Sequence, residues 1–276
     1  MRKYLKSVQK RTIALVGLVG TALITAAVSV VVSRVDSASR EHEAARTPLL
    51  TVWATYDFNP GAGSIWVSNK VPTKTLVEKL TKENASQAAE EAARELDAVR
   101  VETITNSAIS YTPIKISITT SQKDTVLIKN IRMELIKCQN PISTTIVAVF
   151  PQGEYTAPHL RVNLDDPTLG VLSTEGLGPA RPYFDQKFLT VGPNDPQVVE
   201  LEASSKRQYC EWQLAVDSQM GNRNQTIQVR LSNGQPFRTS AWVSRYQNQF
   251  VWPWDNKING YRLMRITDSP IRKDIP

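Results

Sequence analysis

Histidine and cysteine are nearly missing from this sequence, with two of each in 276 residues. His42 falls in a polar stretch and His159 in a proline-bounded one. With no placed partner, His159 reads as an incidental loop histidine sooner than as a general base. Cys138 and Cys210 lack the spacing of a zinc site, and no H-E-x-x-H, G-x-S-x-G or P-loop occurs. These absences take away the usual supports for metal-dependent, serine-nucleophile and nucleotide-driven catalysis. No catalytic residue, metal ligand or cofactor is assigned from the sequence. Carboxylate chemistry stays open, because paired acids act from distant positions.

Acidic residues are absent from the first eleven positions, which hold five of the 33 basic residues: Arg2, Lys3, Lys6, Lys10 and Arg11. A net charge of +7 and a pI near 9.4 look at first like a nucleic-acid signal. Residues 33–276, however, carry 28 basic against 26 acidic residues, so the bulk is close to neutral and no nucleic-acid partner is expected.

Charge and proline are both missing from residues 13–32, IALVGLVGTALITAAVSVVV. Twenty helical residues rise about 30 Å, the thickness of a bilayer's hydrocarbon core. Cations precede this run, and Arg34, Asp36, Arg40, Glu41 and Glu43 follow it with mixed sign. The positive-inside bias then predicts a cytoplasmic tail at 1–12, a transmembrane helix at 13–32 and an extracytoplasmic remainder. A cleaved signal peptide is the rival, but its apolar region runs to about 7–15 residues. Ser37-Ala38-Ser39 is also a poor cleavage site, so an uncleaved anchor in the cell membrane is preferred. Residues 33–47 are polar and unpatterned, a juxtamembrane linker.

What the rest has in quantity is alternation. Residues 49–56 and 64–68 read as short strands on either side of Asn59-Pro60-Gly61. A helical segment follows near 75–98. Thr75 and Glu78 have capping-box spacing, and an alanine-rich stripe (Ala85, Ala88, Ala89, Ala92, Leu96) fits close packing on a sheet. Asn84 and Ser86 are positions where this helix splits in two. Beyond residue 99 the period becomes two, around Ile114–Ile118, Ile131–Leu135, Val199–Ala203, Cys210–Val216 and Ile227–Leu231. Ser232-Asn233-Gly234-Gln235 predicts a hairpin turn. The expected fold is mainly β: an antiparallel β-sandwich, Ig-like in general architecture, over 48–256 with one added helical segment, then a basic tail at 257–276.

Two cysteines in an exported region predict one disulfide, Cys138–Cys210, and Cys210 shares the apolar face of Trp212. Cys138 has the parity of Glu134, so a bulge or strand end near Lys137 is needed to turn it inward. Residues 151–197, rich in proline and glycine, read as long surface connections. Within them Asn163, Asp165 and Asp166 are turn residues ahead of Pro167 sooner than calcium ligands.

The aromatic run is at 242–254. Trp242, Tyr246 and Phe250 fall at four-residue steps, and Phe250, Trp252 and Trp254 at two-residue steps. They form a candidate binding platform for a cell-wall glycan, or anchors for an envelope protein. The alternative places them over one open end of the sandwich or at the lipid interface.

TVLIKNIRMELI at 125–136, QYCEWQLAVDS at 208–218 and TIQVRLSNGQPFRTS at 226–240 give the chain a resemblance. It resembles single-span membrane proteins of Streptomyces and related actinobacteria, uncharacterised in function. The resemblance implies a β-rich exported part and carries over no catalytic residues. The expected function is a membrane-anchored extracytoplasmic binding or assembly module of the envelope, its partners the bilayer and an envelope protein or cell-wall glycan. The alternative is an envelope-polymer hydrolase or transferase using loop carboxylates such as Asp165 and Asp166.

Overall fold

The computed structural model describes residues 47–58, 64–82, 85–103, 110–149, 160–173, 180–251, 254–255, 260–261 and 264–266. The expected tail at 1–12, the span at 13–32, the linker up to residue 46, His159 and Trp252 lie outside the described residues. Among the described residues no helix is long and apolar enough to cross a membrane.

Strands β1 (Thr51–Tyr56) and β2 (Ser64–Ser68) precede helices α1 (Lys74–Lys82) and α2 (Ala85–Glu95). Then come β3 (Val99–Thr103), β4 (Ser110–Thr119), β5 (Val126–Gln139), β6 (Thr145–Val149), β7 (Leu160–Asn163), β8 (Val171–Ser173), β9 (Arg181–Pro182) and β10 (Leu189–Val191). The chain continues through β11 (Gln197–Ser205), β12 (Tyr209–Met220), β13 (Arg223–Val229), β14 (Phe237–Ser240), β15 (Asn248–Val251), β16 (Trp254–Asp255), β17 (Gly260–Tyr261) and β18 (Met264–Ile266). A large sheet has the order β18-β15-β6-β2-β3-β4-β11-β7-β8-β9, with β1 also on β4; a small sheet has the order β10-β5-β12-β13, with β14 also on β12. Strands β16 and β17 pair with each other. The protein is mainly β, as expected, but two pairings, β11 with β7 and β15 with β6, are parallel.

The strand alternation read from the sequence sorts the side chains. Ala54, Ile114, Ile116, Ile118, Val199 and Leu201 of the large sheet meet Val126, Ile128, Ile131, Trp212, Leu214 and Phe237 of the small one in a single buried cluster. Hydroxyls close one end of this layer. Trp212 Nε1 donates to Thr239 Oγ1 at 3.1 Å, Thr239 Oγ1 donates to Thr112 Oγ1 at 2.9 Å, and Ser110 Oγ donates to the Ser240 carbonyl. All of these side chains are buried, so each bond satisfies a group that water does not reach.

Farther along the large sheet the helices cover one face. Leu76, Leu80, Ala88, Ala89, Ala92 and Leu96 pack on Trp66, Val147, Val149 and Phe250. The small alanine side chains let α2 approach closely, and the helical segment is two helices, as the sequence suggested. Its cap is not Thr75, however. Thr73 Oγ1 accepts from Leu76 N at 3.2 Å and donates to Glu95 Oε1 at 3.2 Å, tying the start of one helix to the end of the other.

Strands β4 and β12 each share one edge between two neighbours. β3 takes Ser110 and Tyr111 of β4, and β1 takes Ile114 to Thr119. Likewise β14 takes Tyr209 to Trp212 of β12, and β13 takes Leu214 to Met220. The expected Asn-Gly hairpin is corrected by this arrangement. The turn forms, with Gly234 at φ +79°, and Leu231 N donates to the Gln235 carbonyl at 3.0 Å. Yet β13 and β14 run the same way along one edge of β12, so the turn is an excursion and not a reversal.

Segment 151–197 departs from its reading as connections alone. β7, β8 and β10 lie in it and bury Leu160, Val162, Val171 and Val191 in the main core. At the other end, Leu49 is buried; its N–H donates to Gln225 Oε1 at 2.7 Å and its carbonyl accepts from Thr120 Oγ1 at 2.7 Å.

Candidate functional site

Cys138 and Cys210 are bridged, as the sequence predicts. They stand opposite each other on β5 and β12, so the bond joins neighbours within the small sheet and does not cross between layers. The required bulge is there: Glu211 pairs Lys137 and Trp212 pairs Leu135, leaving Ile136 as the extra residue that flips Cys138 inward. A second bulge at Lys129, between the Asp217 and Ser218 pairings, corrects the register again.

The aromatic run is largely interior. Phe250 is fully buried under the helices, and Tyr246 is buried on the opposite side of the sheet. Trp242 is half-buried against Tyr246, ring centroids 6.0 Å apart in an edge-on contact. Burial pushes the Tyr246 phenol up. Trp254 lies on β16. Tyr246 and Phe250 are therefore core side chains with no face to offer a glycan or partner. Of the three aromatics at four-residue steps only Phe250 stands on a strand; Trp242 and Tyr246 lie in the irregular segment before β15, so the spacing reflects neither a helix nor a single strand.

The acidic loop residues form turns. Asn163 Oδ1 accepts from Asp165 N at 3.0 Å, and Asp166 Oδ1 accepts from Thr168 N at 3.3 Å and Thr168 Oγ1 at 2.6 Å. Asp165, nearly buried, accepts from Ser205 Oγ at 3.1 Å and Lys206 N at 2.6 Å. Among the described residues no group of three or more His, Cys, Asp and Glu is placed to hold a metal.

A different surface brings functional chemistry together: the outward face of the large sheet. With Ile114, Ile116 and Ile118 turned into the core, β4 turns Tyr111, Pro113, Lys115, Ser117 and Thr119 outward. Register adds neighbours row by row. Trp53 pairs Ser117, which pairs Val198; Thr55 pairs Lys115, which pairs Glu200. Next, Pro113 pairs Glu202, which pairs Arg161, and finally Glu102 pairs Tyr111.

This face grades from closed to open. At the closed end Glu102, Tyr111 and Glu202 are buried. Glu202 Oε2 accepts from Arg161 Nε at 2.6 Å, while its buried Oε1 has no hydrogen-bond partner among the described residues. Desolvation, with the Glu102 charge adding to it, pushes the Glu202 carboxyl up to about 8. The Arg161 contact opposes that rise, and burial wins. Burial and the same two carboxylates push the Tyr111 phenol up. Beside them the Arg100 guanidinium lies 4.1 Å over the Phe58 ring and 5.6 Å from Trp66, and desolvation pulls its pKa down. A carboxyl that titrates near neutrality is suited to proton transfer, but buried Glu102 and Glu202 do not stand open to a polymer.

At the open end Trp53 is 45% exposed and Val198 54% exposed, on the two strands that flank Ser117. The other large exposed apolar side chains among the described residues are elsewhere: Leu135 and Ile136 at the bulge, and Val71, Leu169 and Phe188 on turns and connections. The sequence did carry a signal for Trp53 and Val198, since each is apolar at a position whose strand parity calls for a polar residue.

No protein-family model matches the chain, and no curated protein matches it.

Proposed function

We propose that this chain is a membrane-anchored envelope protein whose β-rich part lies outside the cytoplasm and works as a binding or assembly module. The uncharged run at 13–32 behind five cations supports the anchor, and the Cys138–Cys210 bridge fits an oxidising compartment. In this reading it stands with the single-span envelope proteins of actinobacteria that it resembles.

The observation that carries the binding role is the open end of the outward face, where Trp53 and Val198 flank Ser117 in one row. Together they present apolar surface to water from neighbouring strands of one sheet, a surface that a ligand lying across the row would cover. The hydrolase or transferase reading draws less support, because the Asp166 carboxylate accepts within its own turn and the Asp165 oxygens accept from Ser205 and Lys206.

Crosslinking and recovery from intact cells tests the reading, comparing wild type with Trp53→Ala at equal expression and equal melting temperature. The expected outcome is loss of crosslinked envelope material in the variant. An unchanged set of partners removes the outward face as the binding surface. Protease added to intact cells with the wall removed should degrade the β-rich part; full protection would overturn the topology.

A further inference from the structure

We infer that the open end of the outward face is a subsite for a neutral polysaccharide chain, with Trp53 as its stacking platform. The inference rests on the reading of this face as the binding surface and adds the chemical class of the ligand.

Sugar rings have C–H-lined faces and hydroxyl rims. An indole offers such a ring its electron-rich face, and it does so with little conformational entropy to lose. Trp53 is half exposed, and its strand fixes it beside hydroxyls: Thr51 and Thr55 share its outward parity, and Ser117 and Thr119 lie across on β4. Hydroxyls both donate and accept, which is what a rim of sugar hydroxyls needs.

Charge then narrows the class. The adjoining row holds Lys115 and Glu200 at paired positions, one cation against one anion. These two charges cancel, so this row gives an anionic polymer or nucleic acid no local attraction. Apolar area narrows it further. Trp53 and Val198 are separated by Ser117, so they do not merge into the contiguous apolar core that a protein interface of about 800 Å² per partner is built around. Finally, the row spans three adjacent strands, β1, β4 and β11, with Trp53 on the edge strand β1. An extended chain lying across the strands fits it, with Trp53 and Val198 borne on backbones about 10 Å apart.

The test uses the full chain in detergent micelles, titrated calorimetrically with neutral β-1,4-linked hexamers of glucose and of N-acetylglucosamine, and with an anionic uronic-acid hexamer of equal length. The expected result is binding of at least one neutral hexamer, weaker binding of the anionic one, and a roughly tenfold or greater loss in Trp53→Ala with part of it restored in Trp53→Phe. Both variants should melt with wild type, since the side chain is outside the core. Binding of neither neutral hexamer, or equal binding by wild type and Trp53→Ala, overturns the inference. If hexamer binding fails while Trp53→Ala still loses its crosslinks in cells, the face binds another class of partner and only the ligand assignment falls. If both fail, the binding face falls with it.

Discussion

Arg161 and Glu202 meet at 2.6 Å across a parallel strand pair, with Glu202 1% exposed and the arginine side chain 35% exposed. The pair therefore straddles the boundary between the closed end of the outward face and solvent. Its carboxyl is pushed up to about 8 by burial, with the Glu102 charge adding to it.

The folded-state pKa of Glu202 stands at about 8, above its ordinary value of 4.5. Between those two values the folded protein holds a proton that the unfolded chain releases, so stability falls as pH rises through the window. Glu202→Gln keeps the shape and the Arg161 acceptor and removes the titration. Thermal melts at pH 5 and pH 8 should show a drop in wild type that is smaller in the variant, by roughly 2–4 kcal/mol in stability at pH 8. Parallel pH profiles would show that Glu202 is not the group responsible.

Removing the cation acts in the opposite sense. Arg161→Ala leaves a buried carboxyl without its counterion, and because the arginine is itself partly exposed the expected cost is about 1–3 kcal/mol. The loss should be larger at pH 8 than at pH 5, where Glu202 holds its proton. A pH-independent loss would mean that packing of the arginine stem, and not charge, is what matters.

Thr239 stands between Trp212 Nε1 and Thr112 Oγ1, accepting from one and donating to the other. Thr239→Val keeps the volume, takes the acceptor from Trp212 Nε1 and leaves Thr112 Oγ1 only its 3.4 Å bond to the Arg238 carbonyl, at an expected cost of about 1–3 kcal/mol in denaturant unfolding. In the double variant with Trp212→Phe the losses should sum to less than the parts, because the second change removes a donor already unsatisfied. Additive losses would mean that the bond contributes nothing.

The Cys138–Cys210 bridge closes a loop with a sequence separation of 72. On chain-entropy grounds its loss in a Cys138→Ala/Cys210→Ala variant costs roughly 4 kcal/mol, read as a lower urea midpoint with little change in slope. A midpoint within error of wild type would show that the pairing of β5 with β12 already orders the unfolded-state loop.

Much of this architecture is legible in the sequence, and its gaps have physical causes. Strands of seven residues or more announce themselves by alternation, and the wrong parity of Cys138 was enough to require the bulge found at Ile136. The bulge at Lys129 left no such mark, since Lys129 and Asn130 are both polar and either fits the outer face. Strands β7 to β10 have two to four residues each, too few to show a period. The Asn-Gly turn shows that local residues set a turn's geometry but not what its flanking strands pair with. Glu200 and Glu202 make the same point for the site. They share parity and chemistry, yet Glu200 is exposed and Glu202 is buried, because only the latter lies in the row with Arg161. Likewise, Trp53 and Val198 are both visible in the sequence as misplaced apolar residues. Only register, through Ser117, makes them neighbours across one strand.

Leu49 has a mechanical consequence. Through its N–H it holds β13 of the small sheet, and through its carbonyl it holds Thr120, just past β4 of the large one. Any tension arriving along the N-terminal segment is thus divided between both layers before it reaches β1. The strand is guarded against being peeled away, and the rupture force should be set by two clamps yielding together.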